Sequence, residues 1–439
     1  MSINWRNVAM FSLMLALIVL TGFLQSWTVA LTLLNLCLIS SIMALGVNIQ
    51  WGYAGLLNVG VMGFAALGGL AGVLVSMPPV GNAWAAGGAR VVLAVIVFAV
   101  FIGLIVGSYH GLKKRLLLRA VLMSLLTVTG LFATRWILDP AVDAIESVDA
   151  AKTGYLGGLG LPVLLSWPVG GVFAAVAAWL VGKIALGLRS DYLAIATLGI
   201  SEIIVAALKN EDWLTRGVKN VNGIPRPVPY EVDLQESELL LRLASDWGMS
   251  IIDLSSIVVK LAYAGLFLVV LGVLMWFSER ALRSPWGRMM RAIRDNEVAA
   301  RAMGKNVTGR HLQVFVLGSA VIGIAGAMLT TLDGQFTPSS YQPLRFTFLI
   351  WVMVIVGGSG NNWGSVLGGF VVWFFWIQAE PLGLWLMDVI TSGMAPDNWL
   401  RIHLLDSAAH MRLMTMGVVL LLVLRFTPKG LIPERRVTT

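Results

Sequence analysis

Two apolar segments, Ile257 to Phe277 and Leu312 to Leu332, stand on either side of a polar island running from Glu279 to His311. Each is close to the roughly twenty residues an α-helix needs to cross the hydrocarbon layer of a bilayer. Backbone in lipid must satisfy its own hydrogen bonds, and a helix does so within one segment. Similar segments recur along the chain, with 58% of its 439 residues hydrophobic and only 12% charged. Such a chain cannot present an ordinary polar surface to water, so the expected class is an all-α polytopic membrane protein.

Arg6 precedes an apolar run from Val8 to about Leu24. No small-x-small cleavage pattern follows, and Gln25-Ser26-Trp27 leads directly into a second segment, Thr28 to Gln50, so the first run reads as an uncleaved span. Beyond Pro78-Pro79 a span extends from Arg90 to about His110, and Lys113, Lys114, Arg115 and Arg119 mark a cytoplasmic loop. The next span returns outward by Arg135 to an acidic connection of Asp139, Asp143, Glu146 and Asp149. Further spans are expected from about Tyr155 to Gly187 and from Arg189 to about Leu208. Residues 209–255 form the largest loop, external by its acidic balance, with proline and glycine content that predicts ordered turns. It either meets a soluble partner or covers the span ends. After the island the segments are Leu312 to Leu332, Phe346 to Val356, a polar stretch from about Glu380 to His410, and a last span, Leu413 to Phe426. Basic residues around that span predict a cytoplasmic C terminus. The count is ten to twelve membrane segments, the glycine-rich ones being candidates for re-entry. Residues 1–150 are expected to hold the N-terminal membrane segments, with an extra membrane region, and 151–439 the core domain.

The island has strong local punctuation. Ser284 followed by Pro285 starts a helix, because the serine oxygen accepts an orphan amide and proline suits the first helical position. Trp286, Met289, Met290 and Ile293 fall at helical spacing, with Arg288, Arg291 and Arg294 on another face. Asn296 caps a second short helix, Glu297 sits at its positive end and Gly304 terminates it. On charge alone the island is a cytoplasmic loop obeying the positive-inside rule. As a folded pair of helices with small residues at Ala299, Ala300 and Ala302, it also reads as a docking surface.

Two glycine clusters interrupt the spans. The first, Gly52 to Gly63, includes Gly55, Asn58 and Gly60; the second runs from Gly357 through Gly358 and Gly360 to Gly369. Glycine at this density permits close helix packing or a broken helix, so both are candidate pathway walls and possible counterparts in an internal repeat. The stretch Arg189 to Gly199, with Tyr192 and Thr197, leads to Glu202, the one carboxylate expected deep and buried in a span. It reads either as a proton carrier or polar anchor, or as a helix-end residue bonded to a neighbour.

Several chemistries drop out. The lone Cys37 lies in an apolar segment and cannot build a disulfide framework. His110, His311, His403 and His410 form no ligand cluster, so no metal site and no catalytic residue is assigned. The formal charge of +8 lies in loops beside spans, which topology explains without a nucleic-acid partner. The glycine run lacks the lysine and hydroxyl of a phosphate loop, and there is no Walker A motif.

In their order, and across most of the chain, several runs together resemble the LivM permease of branched-chain amino acid ABC importers. These are Gly52 to Gly63, Asp191 to Gly199, Asn222-Gly223-Ile224-Pro225 and Ser284-Pro285-Trp286-Gly287-Arg288 through Arg294. They continue with Asn296 to Ala300, Gly357-Gly358-Ser359-Gly360 with Trp363-Gly364, and Pro428-Lys429-Gly430-Leu431. Glu297 to Gly304 also resembles the coupling motif of importer permeases, with its glutamate one residue further upstream. The resemblance is weakest between Arg90 and Ala150, and Thr215-Arg216-Gly217 stands where the family tends to have threonine and paired glycines.

The resemblance implies the ABC importer permease fold in a bacterial inner membrane, forming a path for branched-chain amino acids delivered by a periplasmic binding protein. It implies a heterodimer with a second, H-type permease and two cytoplasmic ATPases that use ATP and Mg; this chain itself binds no cofactor and is not an enzyme. Coupling to the ATPases falls to Arg288, Arg291, Asn296, Glu297, Ala299, Ala300 and Gly304. The path or gate falls to Gly52, Gly55, Asn58, Gly60, Tyr192, Thr197, Glu202, Gly357, Gly358 and Gly360. Related permeases carry urea, short amides or other amino acids. The competing class is an ion-coupled secondary transporter built around Glu202.

Overall fold

The apolar segments form helices in a computed structural model that describes residues 5–112, 115–149, 153–395 and 398–434. Lys113 and Lys114 of the basic cluster, and residues 396 and 397 of the polar stretch, lie outside the described residues. Long helices are α1 (Trp5–Leu24), α2 (Trp27–Val47), α3 (Val61–Ser76), α4 (Ala89–Gly111), α5 (Leu116–Ser147), α6 (Ser166–Ala185) and α7 (Ser190–Asn210). They continue with α8 (Ile251–Arg283), the island helices α9 (Pro285–Asp295) and α10 (Glu297–Ala302), then α11 (Val307–Asp333), α12 (Pro343–Gly357), α13 (Asn362–Thr391) and α14 (Met411–Phe426). Among the described residues nine helices are long and apolar enough to cross a membrane, and a tenth forms if Trp399–Asp406 and α14 are one bent span. Two shorter apolar helices, α3 and α12, adjoin the glycine clusters. These agree with the expected class and span count.

At the centre, α11 lies along α2, α3 and α6, and α13 closes over α2. Small residues permit this packing: α3, α6 and α11 meet at Gly68, Gly170 and Gly323, where a Cβ on any of the three would press on a neighbour's backbone. By contrast α4 and α5 pack on each other and bury almost none of their length in the core. They form a helical hairpin on the outside of the bundle.

Three expectations are corrected. Asp139, Asp143 and Glu146 are not in a loop: α5 continues through them to Ser147, with Pro140 inside the helix and Arg135 paired to Asp139 at 3.5 Å. The residues from Tyr155 to Pro162 are not helical. Glycines at positive φ, Gly157 and Gly160, turn this strip back along the end of α3, where Leu159 and Leu161 donate to the carbonyls of Leu74 and Val75. Glu380 belongs to α13, which runs on to Thr391.

Of residues 209–255, positions 209–210 end α7 and 251–255 already belong to α8, while 211–250 fold into turns and short helices. Within them β1 (Val221–Asn222) pairs antiparallel with β2 (Gln335–Phe336), tying this loop to the end of α11. Arg216 adopts a left-handed conformation, φ +54°. A glycine would hold that conformation without strain.

Candidate functional site: a polar knot under two helix breaks

The island folds as its punctuation requires. Ser284 caps α9 and Pro285 opens it, while the Asn296 side chain accepts the Ala299 amide at 2.9 Å to cap α10. Glu297 pairs with Arg301 one turn later, and Gly304 ends the segment at φ +74°. Met290 and Ile293 are fully buried, so α9 is anchored to the bundle. Of the small residues on α10, Ala300 faces inward and Ala299 outward, with Val298 and Met303 each 79% exposed. Arg288 is exposed, and Arg291 leans back to the Leu282 carbonyl.

Arg294 joins this island to the first helix break. Its guanidinium donates to the backbone carbonyl of Gly52 and pairs with Glu434 at 3.0 Å and Asp295 at 3.2 Å. Gly52 ends the π-helical turn Asn48–Gly52 that continues α2, and Gly55, at φ +71°, starts the non-helical stretch before α3. The second break lies alongside. Asn48 accepts the Gly360 amide at 2.8 Å and donates to Asn362 at 3.1 Å; the Tyr53 hydroxyl also donates to Asn362, which in turn donates to Glu279 at 3.0 Å. Gly358 and Gly360 both have positive φ, and the amides of Leu431 and Ile432 bond to Val356 and Gly357. Thus the Pro428 to Leu431 run packs on the second break, while Arg6 donates to the Leu431 carbonyl at 2.8 Å. Both glycine clusters and both ends of the described chain meet at the island's end of the bundle.

A second group of contacts fixes the first break from above. Asn58 is buried; its amide donates to Gln50 at 2.8 Å, its side-chain oxygen accepts the Gly60 amide and its carbonyl accepts Trp351 Nε1. Thr197 of α7, also buried, accepts the Val59 amide at 3.0 Å, and Gly60 sits where a Cβ would press on the Thr197 carbonyl. So Gly52, Asn58, Gly60, Thr197, Gly357, Gly358 and Gly360 lie in or beside the connected breaks. Tyr192 and Glu202 do not. Glu202 is halfway along α7 as expected, but it is exposed on the outer face of the bundle with Tyr192, Ile195 and Gly199, which corrects the expectation that it is buried.

Asn48, Tyr53, Arg294, Glu279, Asn362 and Glu434 hold the knot together but were not among the candidate site residues. For Asn48 and Asn362 a signal existed: amides at the ends of apolar runs need partners, and in membrane helices they bond across helices.

A family model described as "Branched-chain amino acid transport system / permease component" matches residues 144–424. The high-affinity branched-chain amino acid transport system permease protein LivM of Escherichia coli K12 is 31% identical over 237 residues, 52% of this chain and 53% of that protein. The chain thus spans about half the length of that relative. A probable branched-chain amino acid transport permease protein LivM of Methanocaldococcus jannaschii is 25% identical over 404 residues, 91% of each chain. The xylose transport system permease protein XylH of Escherichia coli K12 is 25% identical over 344 residues, 74% of this chain and 72% of that protein. No solved structure matches.

Proposed function

Since this chain belongs to the LivM family of branched-chain amino acid transport permeases, we propose that it is the membrane-spanning permease subunit of an ATP-driven importer for branched-chain amino acids. On this reading a periplasmic binding protein delivers the substrate, and two cytoplasmic ATPases dock on α9 and α10 and consume ATP with Mg. The membrane is the bacterial inner membrane, with the C terminus on the ATPase side. One observation carries the reading: a capped, outward-facing helix pair is bonded through Arg294 to the break at Gly52. Movement imposed on the island would reach the glycine breaks directly.

The exposed face of α7 supports a second, H-type permease. A carboxylate facing lipid at mid-span costs about 2.5–3.5 kcal/mol or more, so Glu202 is better covered by protein. Tyr192, Ile195 and Gly199 on the same face would then line the seam between the two permeases.

Ala299 gives the cleanest test of docking because it is exposed, whereas Ala300 is buried and its replacement would also disturb the fold. Ala299→Glu should leave the protein inserted and at wild-type abundance, with uptake of labelled leucine lost and ATP hydrolysis no longer stimulated by loaded binding protein. Wild-type leucine uptake by this variant would remove the docking role from α10. Competition by unlabelled valine and isoleucine, but not by xylose or urea, is expected; xylose competition would move the substrate to the sugars carried by other members of this group of permeases.

A further inference from the structure

At the end of the bundle opposite the island, a cavity of about 260 Å³ opens between α2, α11, α12, α13 and the loop after α11. α11 starts beside the island at Val307 and reaches Asp333 after 27 residues, about 40 Å away at the helical rise. The cavity is smaller than the roughly 300–1,000 Å³ pockets that take drug-sized ligands, so it suits a smaller molecule. Ile39, Met43 and Leu349 are among its apolar walls. Its polar groups are incomplete: Thr337 Oγ1 and Trp373 Nε1 are buried without partners, and the carboxylate of Asp333, an exposed residue, lines the cavity with no hydrogen bond or ion pair among the described residues. Buried polar atoms ordinarily find partners, and each exception calls for a reason.

We propose that this cavity is a binding site, within this subunit, for an α-amino acid with a branched aliphatic side chain. Asp333 meets the ammonium, the Trp373 and Thr337 donors meet the carboxylate, and the side chain lies on the apolar walls. A free carboxylate and two free donors suit a zwitterion; a sugar offers no cation for Asp333, and urea has no use for the apolar walls. The external loop closes on the same place. Gly223 and Ile224 donate to the Gly334 carbonyl at 3.1 and 3.0 Å, beside Asp333. The substrate class rests on the importer reading, which the site extends with a stopping point ahead of the glycine breaks.

The test measures equilibrium binding of L-leucine and of 4-methylpentanoate, its analogue without the ammonium, to the permease–ATPase complex in lipid nanodiscs without binding protein. Leucine uptake by the complete importer is followed in parallel. Saturable leucine binding is expected in the wild type. Asp333→Asn, nearly isosteric, should weaken leucine by about tenfold or more through loss of a charge-assisted bond, with 4-methylpentanoate unaffected. Trp373→Phe and Thr337→Val should weaken both ligands. No leucine binding by the wild type, or an Asp333→Asn variant that treats the two ligands as the wild type does, overturns the site. Leucine uptake without such binding overturns the site while the importer reading stands. Leucine binding with the Asp333 signature, but no ATP-driven leucine uptake by the wild type, upholds the site and overturns the importer reading.

Discussion

On the importer reading, Arg294→Ala should insert normally and still bind the ATPases, with leucine uptake falling by at least about tenfold while ATP hydrolysis continues. The expected result follows from what this guanidinium holds. It bonds the Gly52 carbonyl at the first break and the Glu434 carboxylate beside the second, from a helix whose apolar face is buried. A hydrogen bond to a charged group contributes about 1.5–3 kcal/mol, and about 1.4 kcal/mol is a factor of ten in an equilibrium. Losing two such bonds suffices to free the breaks from the island. Lysine at 294 keeps the charge but not the fork that reaches two partners at once, so Arg294→Lys should recover only part of the uptake. Combining Arg294→Ala with Glu434→Gln should cost less than the sum of the single changes, since the second removes the carboxylate that the first strands. A purely structural ion pair would give another pattern: lower thermal stability and abundance, with uptake and hydrolysis per folded molecule falling together. Unchanged uptake by Arg294→Ala would remove the link between island and breaks.

What was legible in the sequence follows the range of the interactions. Ser284-Pro285, Asn296 and Gly304 announce the island's two helices because a cap and a helix stop are settled within four residues. The spans were legible for a related reason, each apolar run closing its own hydrogen bonds. Arg294 appeared only as one arginine on a basic face; its partner Gly52 is 242 residues away, and no local pattern pairs them. The error at Glu202 has a rotational cause. Thr197 and Glu202 are five residues apart on one helix, about 140° around its axis, so burying Thr197 under the first break turns Glu202 away from the bundle. Charge misled at Asp139, Asp143 and Glu146, where acidic residues were read as a loop. Leucine-rich α5 carries them as its polar last turns, and a helix continues past the hydrocarbon boundary when nothing stops it.

Gly68→Val should yield no stable protein, although the same substitution at Gly107 is tolerated. At Gly68 an added Cβ would overlap the carbonyl of Gly323 on α11, and Gly323 in turn abuts the Gly170 carbonyl on α6. Three helices meet there backbone to backbone, and the obstructing atoms are main chain, which cannot swing aside as a flexible side chain would. Overpacking a close-packed site costs about 1–3 kcal/mol, and more where the backbone must move. α11 contacts α2, α3 and α6, so a displacement at this crossing spreads through the centre of the bundle. Gly107 on α4 has nothing within 4 Å of an added Cβ, and alanine there should stabilise the helix by about 0.5–1 kcal/mol as glycine's backbone freedom is removed. The comparison separates two reasons for glycine in a membrane helix. Thermal unfolding in detergent, followed by size-exclusion chromatography, measures both: Gly68→Val should be aggregated or absent, Gly68→Ala folded with a lower midpoint, and Gly107→Val and Gly107→Ala monodisperse near the wild-type midpoint. Equal behaviour at the two positions would mean that α3, α6 and α11 stand further apart than the crossing at Gly68, Gly170 and Gly323 requires.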